Sequence, residues 1–504
     1  MKFFPLFLLL GFIINIENAT ATPRYSMEDT RNVNSILYDV NGDPVTGIFE
    51  TFYENNFKKS ELSYVDGILN GVAVFYAPEG YKDTDLPYVN GKAEGIALTY
   101  YPNGNLKEKT PFKNGVIDGE KRTFFENGNI KERITYILNT QNGPKKTYYE
   151  DGNLKEETKY INNQKNGTSI IYFYDGNIAE QLNYENDIIV GERYIYYKSG
   201  NLKSKVEYAQ GKKNGLATNY YEDGVLESEI PYQNDLINGV GTFYKENGEL
   251  NLKVTYKDDL REGEAIAFFP NQTKMIVANY ANDMKNGIET EYYETGTVKT
   301  ETPYINGIIN GLGRDYYETS GLKSEITYVN ATAEGPAKFY DEEGKLTAEV
   351  NYTNGKKNGI QKNYSKDGFV LSEETYVDDV LDGEYKEFFE DGKIKSTAIY
   401  EKGILNGLTL IYDNEGNLSY EIPYLRNRKS GKVKRYYPTG ELMGEVSYEK
   451  GKKHGMLDAF NKDGTLMAKV LFNKDKAIKG YSLDHGKNPV LMTKEELQTI
   501  NEKY

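Results

Sequence analysis

Six aromatic residues, Tyr101, Phe125, Tyr149, Phe173, Tyr197 and Tyr221, stand 24 residues apart among lysines, glutamates and small polar residues. Aromatic rings on a polar surface supply contact area at low entropic cost, which is the chemistry of protein recognition. A regular file of them would also stack on sugar rings. These six form the candidate partner-binding face, with a protein as the expected partner and carbohydrate as the alternative. The same file would also arise from β-propensity and from packing of each ring against its adjoining turn. Little else in the chain could do chemistry. His454, in Lys-Lys-His-Gly, and His485, in Asp-His-Gly-Lys-Asn-Pro, have no nucleophile or carboxylate in a recognisable arrangement around them. Cysteine is absent, which excludes thiol chemistry and a disulfide framework. No metal-ligand spacing, nucleophile elbow or phosphate-cradling loop occurs, so no catalytic residue, metal or cofactor is expected. Carboxylate pairs such as Glu156-Glu157 lie in strand-like stretches, where neighbours face opposite sides.

What positions the six aromatics is a repeat. From Gly47, steps of 24 residues meet glycine 18 times in 18, ending at Gly455. Counting each anchor glycine as position 0, position 5 is aromatic in all 18 copies, from Phe52 to Phe460, and so is position 17, from Tyr64 to Phe472. Position 9 is glycine except at Asn56, Gln272 and Ser320. Position 20 is Gly, Asn or Asp except at Ala331. The six aromatics occupy position 6. A fixed period of this kind is the signature of a repeat array rather than of several domains.

The apolar positions alternate by twos and glycine interrupts every dozen residues, which excludes helix. Glu150-Asp151-Gly152 fits a three-residue hairpin loop closed by a left-handed glycine. Each copy is therefore predicted to be a two-stranded hairpin. Positions 5, 11, 15 and 17 are expected on one buried face, and positions such as Lys155 and Glu157 on the other. The fold class is all-β, an elongated antiparallel hairpin ribbon or solenoid. Eighteen hairpins give roughly 36 strands and, at about 4.8 Å per strand, a length of about 170 Å if uncoiled. A parallel β-solenoid has the same period, but paired glycine turns favour hairpins.

The Tyr-Tyr-x-x-Gly-x-Leu-Lys and Tyr-x-x-Gly-x-x-x-Gly segments resemble the bacterial variant of the MORN repeat, found in YwqK-family antitoxin proteins and in secreted repeat arrays. The resemblance covers residues 47–472, about 18 repeats, and departs from the eukaryotic pattern in lacking Trp. It implies a β-ribbon used for binding and not for catalysis.

The ends differ from the array. Lys2, an apolar run from Phe3 to Ile14, and Ala19-Thr20-Ala21 read as a signal peptide over residues 1–21. Residues 22–46 read as an N-terminal cap with a partial repeat, with Ile36-Leu37-Tyr38 as a strand. Residues 473–504 read as a C-terminal cap, with a capping box of Thr493 and Glu496 opening a short helix. An exported bacterial protein is expected, periplasmic, surface-bound or secreted, with no integral membrane span. The net charge of −15 argues against nucleic acid as a partner. The hairpin turns are acid-rich (Glu126, Glu150, Glu390), whereas some return turns carry lysine pairs such as Lys212-Lys213. The expected function is a non-enzymatic scaffold that binds a protein partner, adhesin-like at the bacterial surface. The alternatives are an exported antitoxin or immunity protein and a carbohydrate or cell-wall binder.

Overall fold

The computed structural model describes residues 21–484 and 488–503; the expected leader before Ala21, and His485, lie outside the described residues. The chain divides into two compact units, residues 1–236 with 246–248, and residues 237–245 with 249–504. Both are built alike, from strands that pair antiparallel with their sequence neighbours. In the first unit Thr140–Tyr148 pairs with Leu154–Ile161, which pairs in turn with Gln164–Tyr172. In the second, Gly359–Tyr364 pairs with Val370–Val377 and Val380–Phe388 with Ile394–Glu401. The hairpin repeat expected from the 24-residue period is what forms.

Two turns alternate, and both explain the small residues at their tips. In the first, the Tyr149 amide donates to the Asn153 carbonyl at 2.8 Å and the Gly152 amide to the Tyr149 carbonyl at 2.9 Å. Gly152 has φ 98°, and the three residues that replace glycine there, Asn56, Gln272 and Ser320, are held at 63°, 67° and 71°. The return turn has two successive left-handed residues, such as Asn162 at 51° and Asn163 at 67°, the geometry that suits a two-residue hairpin loop. Ala331 is also held there, at φ 65°.

The anchor glycine is held at positive φ in every copy, and at Gly383 a second demand is added. Gly383 has φ 135°, and a Cβ added to it would lie 2.8 Å from Thr375 Cγ2, a side chain of the preceding copy. Backbone conformation and close approach together exclude a larger residue.

The faces differ from the sequence expectation. Register runs Lys145 opposite Thr158, Lys146 opposite Glu157 and Thr147 opposite Glu156, then slips so that Tyr148 stands opposite Leu154. Lys155, at position 12, is the extra residue of a β-bulge. The slip puts positions 5 and 11 on the opposite face from positions 15 and 17, so the four do not share a side. Hydrogen bonds agree. The position-5 hydroxyls of Tyr316 and Tyr364 donate to the position-14 carboxylates of Glu301 (2.9 Å) and Glu349 (2.8 Å). The position-17 ring of Tyr64 instead meets Phe49, at position 2, edge-on at 6.3 Å.

The fully buried file is also not the aromatic one. It consists of small side chains at positions 2 and 15, among them Ala73, Ala97, Ala217 and Ala337, with Thr158, Val206, Val254 and Val350. Position-17 rings flank them, as Tyr208 and Tyr232 flank Val206 and Ala217. This side is the inner face; positions 1, 3, 5, 11, 14 and 16 form the outer one.

The two ends of the described chain pack against the array in different ways. Arg24–Tyr25 lies parallel to Gly47–Phe52 and covers the start of that edge strand. Leu37 and Val45 are buried, and the Gly67 amide donates to the Val45 carbonyl at 2.8 Å, as later return turns do to the copy before them. At the other end the Thr493 amide donates to the Glu496 carboxylate at 2.7 Å and the Glu496 amide to the Thr493 hydroxyl at 3.2 Å. The helix Lys494–Lys503 sets Leu497 and Ile500 against Val470 and Phe472.

Candidate functional site

The six aromatics stand where each copy leaves its first strand. Position 5 is the last strand residue; position 6 opens the turn, so its side chain belongs to the turn rim and not to a strand face. All six are half-buried. The rings of Tyr101, Tyr149 and Tyr197 reach toward the next copy. Hydroxyls of Tyr101, Tyr149 and Tyr197 donate to the main-chain carbonyls of Phe124 (2.7 Å), Tyr172 (2.8 Å) and Tyr220 (2.8 Å). Tyr53, Tyr293, Tyr317 and Tyr437 repeat the bond elsewhere. Phe125 and Phe173 have the ring without the donor. Packing against the adjoining turn is therefore observed at this position.

A second file lies over the first. Lys107, Lys131, Lys155 and Lys203, at the bulge position, hold their ammonium groups 5.9, 5.8, 5.7 and 5.3 Å from the ring centres of Tyr101, Phe125, Tyr149 and Tyr197. Such contacts contribute about 0.5–1 kcal/mol at exposed sites. Tyr174 adds an edge-on ring 5.2 Å from Tyr149. Burial first, then the nearby Glu227 and other carboxylates, pushes the Tyr197 and Tyr221 phenols above their ordinary range. The sequence places Lys155 on the polar face but does not show these lysines over the rings, although each stands six residues after its aromatic.

The turns themselves are stitched together. Side-chain amides of Asn105, Asn129 and Asn177 donate to the carbonyls of Glu126 (2.7 Å), Glu150 (2.9 Å) and Lys198 (3.0 Å), each one copy ahead. On the opposite rim, Asn163, Asp187 and Asp235 accept from the amides of Gln141, Lys165 and Lys213 at 2.7–2.8 Å, one copy back. The result is a rim of rings, ammonium groups and hydrogen-bonded turn backbone. His454 is half-exposed, its Nε2 3.9 Å from Glu449. Among the described residues no cluster of His, Cys, Asp or Glu could hold a metal ion, and no helix is long and apolar enough to cross a membrane.

The family model described as MORN repeat variant matches residues 93–114, 117–137, 141–162, 165–186, 189–210, 213–234, 237–258, 285–306, 333–354, 381–402 and 429–450. Each match begins at position 22 of one copy. No curated protein matches the chain. Solved structures similar to it include the crystal structure of TcdB2-TccC3-Cdc42, at 11% identity and TM-score 0.12, covering 90% of this chain and 28% of the other. A second, TcdB2-TccC3 without its hypervariable C-terminal region, has 12% identity and TM-score 0.14, covering 89% and 30%. A third is the Photorhabdus luminescens Tc holotoxin pore, at 13% identity and TM-score 0.12, covering 89% and 27%. The chain thus spans less than a third of the length of these structures.

Proposed function

The chain is a MORN-variant repeat protein, and from that premise we propose that it is a non-enzymatic scaffold that binds a protein partner along the rim carrying Tyr101, Phe125, Tyr149, Phe173, Tyr197 and Tyr221. The observation that carries this reading is the uninterrupted run of half-buried rings in six successive copies of the first unit. In the second unit the same position is broken by Asp341, Ser365, Asp413 and Asn461. Rings fixed by hydrogen bonds or neighbouring side chains lose little freedom when a partner arrives, which favours recognition. The apolar run and Ala19-Thr20-Ala21 at the start of the sequence support export, with an adhesin-like role outside the cytoplasm; the antitoxin role rests on the resemblance alone.

Photo-crosslinking tests the reading. A photoreactive residue in place of Glu126, on the first-unit rim, is compared with one in place of Glu342, in mixtures of surface and secreted proteins. A discrete protein adduct is expected from the first position and not from the second, and Tyr149→Ala should remove it. Equal adducts from both, or an adduct indifferent to Tyr149→Ala, would refute the assignment.

A further inference from the structure

Positions 3 and 14 stand directly opposite each other on the outer face, so one file of side chains crosses successive strands. Over one stretch of the second unit this file alternates in sign: Glu325, Lys338, Glu349, Lys362, Glu373 and Lys386 follow one another in direct cross-strand pairs. Lys362 lies 3.3 Å from Glu373, for example. Opposite charges across a strand pair stabilise it, and like charges directly opposite destabilise it.

In the first unit the alternation fails over four consecutive strands. Lys109 faces Arg122, Arg122 faces Arg133, and Arg133 faces Lys146. Arg122 finds Glu120 on its own strand, and Lys146 finds Glu157 at 3.1 Å. Among the described residues Lys109 and Arg133 have no ion-pair partner. They lie over rings instead, Lys109 at 6.0 Å from Phe124 and Arg133 at 5.7 Å from Tyr148. The Arg133 Nε is shielded from solvent and has no hydrogen-bond partner. Cross-strand ion pairing is forgone here, since a glutamate at position 14, as in Glu301 or Glu349, would relieve the repulsion and accept from the next copy's tyrosine.

We propose that Lys109, Arg122, Arg133 and Lys146 form a binding surface for an acidic segment of a protein partner, its carboxylates lying above the file. At about 4.8 Å per strand the four cations span about 14 Å, the reach of four or five extended residues. Phe124 and Tyr148 border the file on the same face and supply apolar contact beside the charges. A longer polyphosphate would run past the file onto Leu98 at one end and the Glu157 carboxylate at the other, whereas a short acidic segment ends within it. The surface lies on the strands and not on the aromatic rim; it rests only on the reading that this scaffold binds proteins.

The test uses the full chain and a fluorescein-labelled octaglutamate peptide, followed by anisotropy at about 50 and 300 mM salt, which changes charge screening strongly. Salt-sensitive binding is expected. Arg133→Glu should weaken it about tenfold or more, as loss of a steering charge does, and should raise the melting temperature because Arg122 and Lys146 gain an opposite neighbour. Arg314→Glu, at position 3 between Glu301 and Glu325 in the alternating file, should lower the melting temperature and leave peptide binding unchanged. No salt-sensitive binding, or binding indifferent to Arg133→Glu, would overturn the proposal. So would oligothymidylate of equal charge displacing the peptide at lower concentration, which would mark a polyphosphate site. None of these outcomes depends on Tyr149, so the rim and the file fail or stand separately.

Discussion

The Tyr149 hydroxyl donates to the Tyr172 main-chain carbonyl at 2.8 Å, joining two copies across 23 residues. The position-6 ring therefore ties each copy to the next while showing its other side at the rim. Tyr149→Phe should lower stability by about 0.5–1.5 kcal/mol, the usual net worth of one hydrogen bond. The converse substitution is sharper. Phe125→Tyr places a hydroxyl where the Tyr148 carbonyl stands in the repeat, and should raise the urea midpoint. A midpoint unchanged by both substitutions would show that the bond contributes nothing in solution.

Ala331 is the single residue at position 20 that is neither Gly, Asn nor Asp, and it is held at φ 65°. A left-handed conformation costs an ordinary residue roughly 1–2 kcal/mol, part of which glycine recovers. Ala331→Gly should be stabilising by about 0.5 kcal/mol. Ala331→Asn should do better, because its side chain can accept from the Ile309 amide as Asp187 accepts from Lys165 at 2.7 Å. Thermal melts of the two variants decide the order.

The hairpins, the left-handed turn positions and the capping box were legible because each depends on residue type at a fixed spacing. Gly152 and Thr493 announce their geometry locally. The faces were not legible, since periodicity by twos assumes regular strands. The bulge at Lys155 is absorbed without a glycine or proline to mark it, and one extra residue moves Leu154 and Tyr148 to the other side. The same shift hid the lysines over the rim rings. Position 6 was singled out by composition alone, and its bond to the next copy needed coordinates.

Anchor glycines should differ in how badly they tolerate a side chain. A Cβ on Gly383 would meet Thr375 at 2.8 Å, whereas a Cβ on Gly335, with φ 78°, has nothing within 4 Å. Gly335→Ala should cost roughly 1–2 kcal/mol for the backbone alone. Gly383→Ala should cost more, and Thr375→Ala in the same chain should recover part of the difference. Equal losses in the two single variants, measured by denaturant unfolding, would mean that the close approach relaxes freely.

Two groups of ionisable residues should set the pH limits of stability. At the first copy, the Lys58 ammonium, with help from Arg24 and the Tyr76 hydroxyl, holds the Glu61 carboxyl down to about 2, against the opposing effect of burial. A carboxyl whose pKa falls on folding stabilises the fold above its unfolded value, about 4.3, and loses that contribution as pH drops toward the folded value. At the alkaline end, burial and then Asp85 push the Tyr100 phenol up to about 12; burial followed by Glu349 does the same for Tyr364, and burial followed by Glu374 for Tyr376. Here the protonated form is favoured by the fold, so stability is intact below pH about 10 and declines as pH rises from there to about 12. Glu61→Gln should flatten the acid limb between pH 4 and 2 and leave the alkaline limb alone, whereas Tyr364→Phe should soften only the alkaline one. Urea midpoints taken across both windows check the pair; an acid limb unaltered by Glu61→Gln would place the acid sensitivity elsewhere.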